Sequence, residues 1–505
     1  YRLPYAPVDS WDEGFYALMA IDAGSVPLMP SLYGQPWIEK PPLGVWILAL
    51  SFDVLGRNAW ALRLPSAVFA LVAILLLFDL GQRLFDRKTG FAAAILFATS
   101  PVFLAPHMAR SGDMDTMLLC AVVALMWSYV RAWKDERFWY GVALASGLGI
   151  LLRGLPMLLP MTAVGMHTLI FFRSHIPSWK TGLKATVLFL SLTVPWHVAA
   201  YLLYGQVFVD GYLKHAIFSR VESVVEGHTG PWHFYDTHYL RWKLGLLAFV
   251  GYAGALWGIG RAAKDRDGVW TLLVLWLVIP FAALCVMQTK LYWYVMPVLP
   301  VLFLLGAGLI HDLWQKRSGW GSLFGFLLAI GLSYAWLTNE PLNVLQWRDS
   351  ARLSIWIGIA AGALLVFRKQ AFLALTTGLV VIALAQGLVN SWHVVTASYT
   401  PPLFEHLAYA LSKEVELPTV LYDESLGVLR GNLAPQEAWY LNIRRRLNVG
   451  LVDTKSLERW LDDPRMFRVV LPQTNLESLR AFTQRTLRVE TTVGPYVLVQ
   501  ISSLR

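Results

Sequence analysis

Asp12-Glu13-Gly14-Phe15-Tyr16 and Glu39-Lys40-Pro41-Pro42 bring three carboxylates and an amine into a short stretch otherwise rich in Trp, Tyr and Pro. A carboxylate at a water boundary suits general-base work, taking a proton from an acceptor hydroxyl or orienting it, and Asp12 is the candidate for that task. Asp12 also stands before a helix-like run, Phe15 to Ala23, where its plain role is to satisfy free backbone N–H groups. Behind Glu39 and Lys40 two prolines freeze the backbone. Such stiffness suits positioning: Lys40 offers a phosphate a point charge, and Glu39 orients Lys40 or the acceptor. The alternative is a proline-started helix from Leu43 with two solvated charges in front of it.

Further along, Arg110-Ser111-Gly112-Asp113-Met114-Asp115 holds two acids and an arginine in one turn. Acids favour helix N-termini, so capping is the strong plain reading for Asp113 and Asp115, and the density of charge points to a site role for at least one. Residues 205–242 hold His215, Arg220, Glu222, Glu226, His228, Trp232, His233, Tyr235 and His238. No His-x3-His or Cys-rich ligand spacing is present, so Arg, His and aromatic groups together fit a phosphate or phosphate-sugar contact better than a zinc site. Thr289-Lys290-Leu291-Tyr292-Trp293-Tyr294 precedes Pro297 and Pro300. It reads as an interfacial aromatic belt with a snorkelling Lys290 that also suits an anionic headgroup. Walker, Gly-rich nucleotide and Ser-His-Asp patterns are absent, which removes support for ATP-driven pumping and serine hydrolysis.

The elements that must carry these groups are membrane spans. The chain has 505 residues, 56% of them hydrophobic and only 15% charged, outside the range of soluble domains. Twelve spans are expected near 61–83, 89–108, 114–131, 138–152, 155–172, 182–204, 243–260, 268–287, 291–313, 320–337, 351–367 and 371–394. The formal charge of +9 does not indicate nucleic acid, because Lys and Arg sit in short runs between apolar segments. Those runs alternate: Arg83, Arg87 and Lys88; Arg131, Lys134 and Arg137; Arg173, Lys180 and Lys184; Arg261, Lys264 and Arg266; Lys316 and Arg317; Arg368 and Lys369. Cytoplasmic loops carry such excess, so every chemically suggestive motif, Arg153 and the tail after 395 fall on the opposite, outer face. Cys120 and Cys285 lie in apolar segments and read as small buried hydrophobes, with no disulfide framework. The chain begins at Tyr1 with no initiator Met and no basic-then-apolar leader, which leaves room for a preceding first helix or signal peptide.

Two domains are expected: 1–399, membrane-embedded with outer loops 1–60 and 205–242, and 400–505, a small soluble α/β domain. The latter rests on short apolar runs, Pro418 to Tyr422, Phe467 to Pro472 and Tyr496 to Ile501, between charged helix-like stretches.

These residues resemble the integral membrane GT-C glycosyltransferases that use polyprenyl-phosphate sugars, especially the lipid A aminoarabinose transferases and their protein O-mannosyltransferase relatives. The likeness spans nearly the whole chain. It rests on an Asp-Glu-x-x-Tyr motif (Asp12, Glu13, Tyr16), a Glu-Lys-Pro element (Glu39, Lys40, Pro41) and a Lys-Leu-x-x-Tyr-x-x-Pro element (Lys290, Leu291, Tyr294, Pro297). Pro231-Trp232 with Tyr235, and His215 ahead of Arg220, are similar too. A carboxylate five positions after an Arg favours Asp115 over Asp113. Phe15 stands where the aminoarabinose transferases carry Arg, and Leu152-Arg153-Gly154-Leu155 where relatives show Thr-Lys-Gly-Pro, which leaves the donor sugar open.

The resemblance implies a polytopic α-helical GT-C fold of about twelve to thirteen helices with an outer C-terminal α/β domain. It implies inverting transfer with Asp12, Glu39 and Asp115 as catalytic residues. Lys40, Arg153, His215, Arg220 and Lys290 would meet the donor phosphate, and Glu13, Tyr16, Asp113, Tyr235 and Tyr294 the substrates. No metal ligand is assigned and no cofactor is required, although a divalent metal is compatible. Expected partners are a polyprenyl-phosphate sugar donor, a lipid, glycan or protein acceptor and membrane lipids, in a bacterial-type inner membrane with the site facing the periplasm. The rival is a lipid-linked sugar transporter without chemistry, whose site would lie near the midplane on interrupted helices; an assembly role for the C-terminal domain is a third reading.

Overall fold

The computed structural model describes residues 12–315, apart from short gaps, and 417–503, with gaps between 423 and 453. Helices α1 (Asp12–Asp22), α2 (Leu43–Leu55), α3 (Ala59–Leu84), α4 (Arg87–Thr99), α5 (Asp115–Ala132), α6 (Phe138–Arg153), α7 (Leu158–Ile170), α8 (Trp179–Tyr204), α9 (Leu246–Asp265), α10 (Gly268–Val286) and α11 (Leu299–Gln315) make the helical part. Among the described residues, five stretches are long and apolar enough to cross a membrane: Ala59–Leu84, Asp115–Ala132, Trp179–Tyr204, Gly268–Val286 and Tyr292–Leu313. The protein is a polytopic membrane protein. The spans expected at 320–337, 351–367 and 371–394, and the domain boundary at 400, lie outside the described residues.

The span expected over 89–108 is corrected. Helix α4 ends at Thr99, and Ser100 adopts an extended backbone with φ −64° and ψ 140°. Its neighbour in the sequence is Pro101, whose ring disfavours helical backbone at the residue before it. Apolar composition continues past that point, but the helix does not. Similarly, the run expected from 291 opens as a tighter 3-10 segment, Tyr292–Val298, before α11. The 205–242 region is itself largely helical: Gln206–Phe208 leads through wider π-type turns, Val209–Phe218, to Ser219–Glu222, and a second wide stretch, Tyr235–Leu240, leads to Arg241–Leu244.

Contacts divide the chain into two compact units, one of Trp37–Gly44 and Pro65–Thr396, the other of Arg2–Pro36, Val45–Leu64 and Ala397–Arg505. Within the first, α5 packs on α6, α6 on α8, α7 on α10, α4 on α11, and α9 on both α10 and α11. Contact between α9 and α11 depends on small residues that let backbones approach. A Cβ built on Gly254 would run into the backbone carbonyl of Leu305. Gly254→Ala is therefore expected to lower stability by about 1–3 kcal/mol, as overpacking does. Thermal unfolding in detergent reads this, and an unchanged midpoint would show that the two helices part without cost.

The second unit contains the C-terminal sheet. A short antiparallel pair, β1 (Ser31–Leu32) and β2 (Gln35–Pro36), also belongs to this unit; the sheet strands are β3 (Thr419–Tyr422), β6 (Val449–Val452), β7 (Phe467–Pro472), β8 (Leu487–Val493) and β9 (Tyr496–Ile501), in the order β6-β3-β7-β9-β8, and a second antiparallel pair, Val428–Leu429 with Asn432–Leu433, supplies β4 and β5. β3 runs parallel to β6 and β7, whereas β9 runs antiparallel to β7 and β8. Alternate residues Phe467, Val469 and Leu471 of β7 and Val497, Val499 and Ile501 of β9 share one apolar face. Leu457 and Leu461 of α12 (Thr454–Asp462), four apart, and Leu479 of α13 (Leu476–Phe482) cover that face. The α/β character expected from the sequence is present, with β6 and β8 added.

Candidate active site

Most candidate site residues, from Glu39 to Tyr294, belong to the first unit; Asp12, Glu13 and Tyr16 belong to the second. In the second, Asp12 and Glu13 occupy the first turn of α1, where the helix dipole favours acids. Glu13 is enclosed: its two carboxylate oxygens accept from Arg63 Nε and Nη2, both at 2.6 Å, and the side chains are 1% and 2% exposed. Expected as substrate contacts, Glu13 and Tyr16 are both buried, and the observed work of Glu13 is to brace α1 against Arg63.

In the first unit, the turn before α5 assembles two buried carboxylates. Asp113 Oδ1 accepts from the N–H of Met114 at 2.6 Å and of Asp115 at 3.4 Å, which ties down the turn that leads into α5. Its backbone carbonyl accepts from Ser66 Oγ at 2.7 Å, and its Oδ2 pairs with His107 Nδ1 at 2.6 Å. Burial pushes the Asp113 carboxyl up, but the hydrogen bond and charge of His107, with the charges of Arg153 and Lys40, outweigh it and hold the group down at about 2. Asp115 is bound instead by Arg153 at the end of α6, whose Nη2 lies 2.7 Å from Oδ1 and 2.9 Å from Oδ2. Thus the helix that starts at 115 and the helix that ends at 153 are joined by one ion pair, each side chain less than a tenth exposed.

The donor-side candidates gather on two segments laced together. Backbone N–H groups of Gln288, Thr289 and Lys290 donate to the carbonyls of Val221, Arg220 and His228, and Val225 N–H donates to Thr289 Oγ1, which donates in turn to the Ser223 carbonyl. This lacing fixes the Arg220 segment beside the Lys290 segment, and Arg220 Nη1 donates to the Tyr294 hydroxyl at 3.0 Å. Lys290 Nζ turns inward, donating to the carbonyls of Leu284 and Cys285 at the end of α10 at 2.8 and 2.9 Å, and lies 5.6 Å from the Tyr235 ring centroid. Burial pulls the Lys290 ammonium below its ordinary value. Glu39 Oε1 is 3.8 Å from His215 Nε2, the pair half-buried to exposed. Glu39 and Lys40 stand in the bend before α2, where the helix from Leu43 begins directly behind Pro41-Pro42.

Sequence reasoning missed His107, and it read Trp293 only as part of an interfacial aromatic belt. The imidazole of His107 stacks on Trp293, ring centroids 3.7 Å apart and 22° between planes, and its backbone sits at φ 63°, unusual for a non-glycine residue. His107 belongs to no motif and Trp293 fills only an unspecified position of the Lys290–Pro297 element; each gains its meaning from a contact between distant parts of the chain.

Membrane-crossing helices in a chain with a strand-containing C-terminal region give this protein a polytopic α-helical fold of the GT-C type. Residues 39–198 match the family described as dolichyl-phosphate-mannose-protein mannosyltransferase. Across nearly its whole length the chain is similar to the undecaprenyl phosphate-alpha-4-amino-4-deoxy-L-arabinose arabinosyl transferase of Pseudomonas aeruginosa (strain UCBPP-PA14). The two are 28% identical over 489 residues, covering 90% of this chain and 83% of the relative. A corresponding transferase of Pseudomonas fluorescens (strain Pf0-1) is 26% identical over 465 residues, 86% of this chain and 77% of its own. The crystal structure of ArnT from Cupriavidus metallidurans bound to undecaprenyl phosphate shares the fold, with a TM-score of 0.74 at 18% identity over 99% of this chain and 95% of that one.

Proposed function

We propose that this protein moves a sugar from an undecaprenyl phosphate-linked donor to a lipid acceptor at the outer face of a bacterial inner membrane, inverting the anomeric carbon. The acceptor oxygen forms the new bond to that carbon while the bond to the phosphate oxygen breaks, and undecaprenyl phosphate leaves with the electron pair. Charge therefore develops on the departing phosphate, and fixed cations stabilise it most where they are already oriented. The observation that carries the reading is Arg220 held on the Tyr294 hydroxyl in a segment laced to Thr289 and Lys290. Lys40 and Arg153, both near enough to act on Asp113, add positive charge in the same unit.

One cation at about 4 Å from one phosphate charge contributes roughly 4 kcal/mol at an effective dielectric of 20. The scheme needs no metal step. Asp12 receives the acceptor proton, an assignment supported by its motif; an acceptor that arrives as an ionised phosphate needs only orienting. The alternation of basic loops supports the outward orientation. Likeness to the lipid A aminoarabinose transferases makes lipid A the first acceptor to test and 4-amino-4-deoxy-L-arabinose the first sugar.

Mass spectrometry of lipids co-purifying in mild detergent tests the reading. Wild type is expected to retain a polyprenyl phosphate, with or without its sugar, and Lys40→Ala to retain at least about tenfold less, given the size of one lost charge contact. Phospholipid alone, unchanged in the variant, would remove the support for transfer and favour transport without chemistry.

A further inference from the structure

The two halves of the site within the first unit, the carboxylate turn before α5 and the turn carrying Tyr294, are joined through a residue outside every motif. His107 Nδ1 bonds Asp113, whose other oxygen accepts from the Met114 and Asp115 N–H groups and whose carbonyl accepts from Ser66. The face of the same imidazole lies on Trp293, the neighbour of Tyr294 and hence of the Arg220 contact.

A hydrogen bond to Asp113 alone does not require histidine at this place. Asparagine adopts a positive φ more readily than most side chains and carries an N–H of similar reach. What an imidazole adds is a flat ring, and the ring is in use. We propose that His107 is a positioning residue for sugar transfer, holding the Asp113–Asp115 turn and the Trp293–Tyr294 turn in one fixed relation. The proposal rests on the transferase reading above.

The test uses full-length protein in detergent, the donor lipid that mass spectrometry identifies on wild type, and lipid A. His107→Asn keeps an N–H for Asp113 and loses the stack; Trp293→Ala loses the stack from the other side. Each is expected to lower kcat about tenfold or more, with KM for the donor within about twofold, because a small misplacement of reacting groups acts on the chemical step. The double variant is expected to be no worse than the poorer single one, since both remove the same contact. Trp293→Phe, which keeps a ring face, should stay within about threefold of wild type. Wild-type kcat in His107→Asn, losses that multiply in the double variant, or losses that follow a fall in the unfolding midpoint would each overturn the positioning role. A wild type inactive with every polyprenyl-phosphate sugar would overturn the transferase reading and this role together, whereas an active wild type with unaffected variants overturns this role alone.

Discussion

Glu13→Ala is expected to destabilise the protein by about 3–5 kcal/mol, because it removes one partner of a buried ion pair and leaves the other charge in a medium that solvates it poorly. Arg63 donates to both carboxylate oxygens of Glu13 at 2.6 Å, and the two side chains are almost wholly shielded from solvent. Coulomb attraction within such a pair offsets the desolvation of both ions, so the loss on breaking it exceeds what the pair contributes relative to apolar residues. Accordingly, Glu13→Leu combined with Arg63→Met should recover most of the lost stability. Thermal unfolding in detergent reads both variants. If Glu13→Ala instead kept the wild-type midpoint and raised only the KM for a substrate, the brace would be excluded and a direct substrate contact favoured.

That pair shows what the sequence made legible and what it did not. Asp12, Glu13 and Tyr16 were visible as a cluster because charge is rare in such an apolar chain, yet Arg63 lies fifty positions from Glu13 and no local pattern connects them. The same holds for Asp115 with Arg153, separated by 38 positions, and for Arg220 with Tyr294, separated by 74. Hydropathy located the spans well where helix and apolar run coincide, as at Trp179–Tyr204 and Gly268–Val286. It overran at Ser100, where backbone geometry before a proline ends a helix that composition would continue. Strands β3, β7 and β9 were legible from their apolar runs, whereas β8 was not: Leu487–Val493 mixes polar and apolar residues and none of them is buried, while its partner β9 supplies the buried side. His107 was illegible for a different reason. A lone histidine beside an apolar span carries no signal until Trp293 is brought under its ring.

Asp12→Asn is expected to lower the rate of sugar transfer about 10²- to 10⁴-fold, the range that a positioned general base contributes. The substitution separates the two roles that Asp12 can hold. Asp12 stands in the first turn of α1, and asparagine serves the backbone N–H groups of a helix start about as well as aspartate does. Folding, and the brace between Glu13 and Arg63 one residue on, should therefore survive, with an unfolding midpoint close to wild type. Only the capacity to take a proton is lost. Turnover measured with a hydroxyl acceptor and with an ionised phosphate acceptor then gives the role directly: a base is needed for the first and not for the second, so a large loss confined to the hydroxyl acceptor assigns proton transfer to Asp12. Equal large losses with both acceptors would mean that the negative charge of Asp12 orients the acceptor whatever its protonation. Full activity with both would reduce Asp12 to a helix cap and move the search for the acceptor-side carboxylate to Asp113 and Asp115, which the structure already holds side by side at the start of α5.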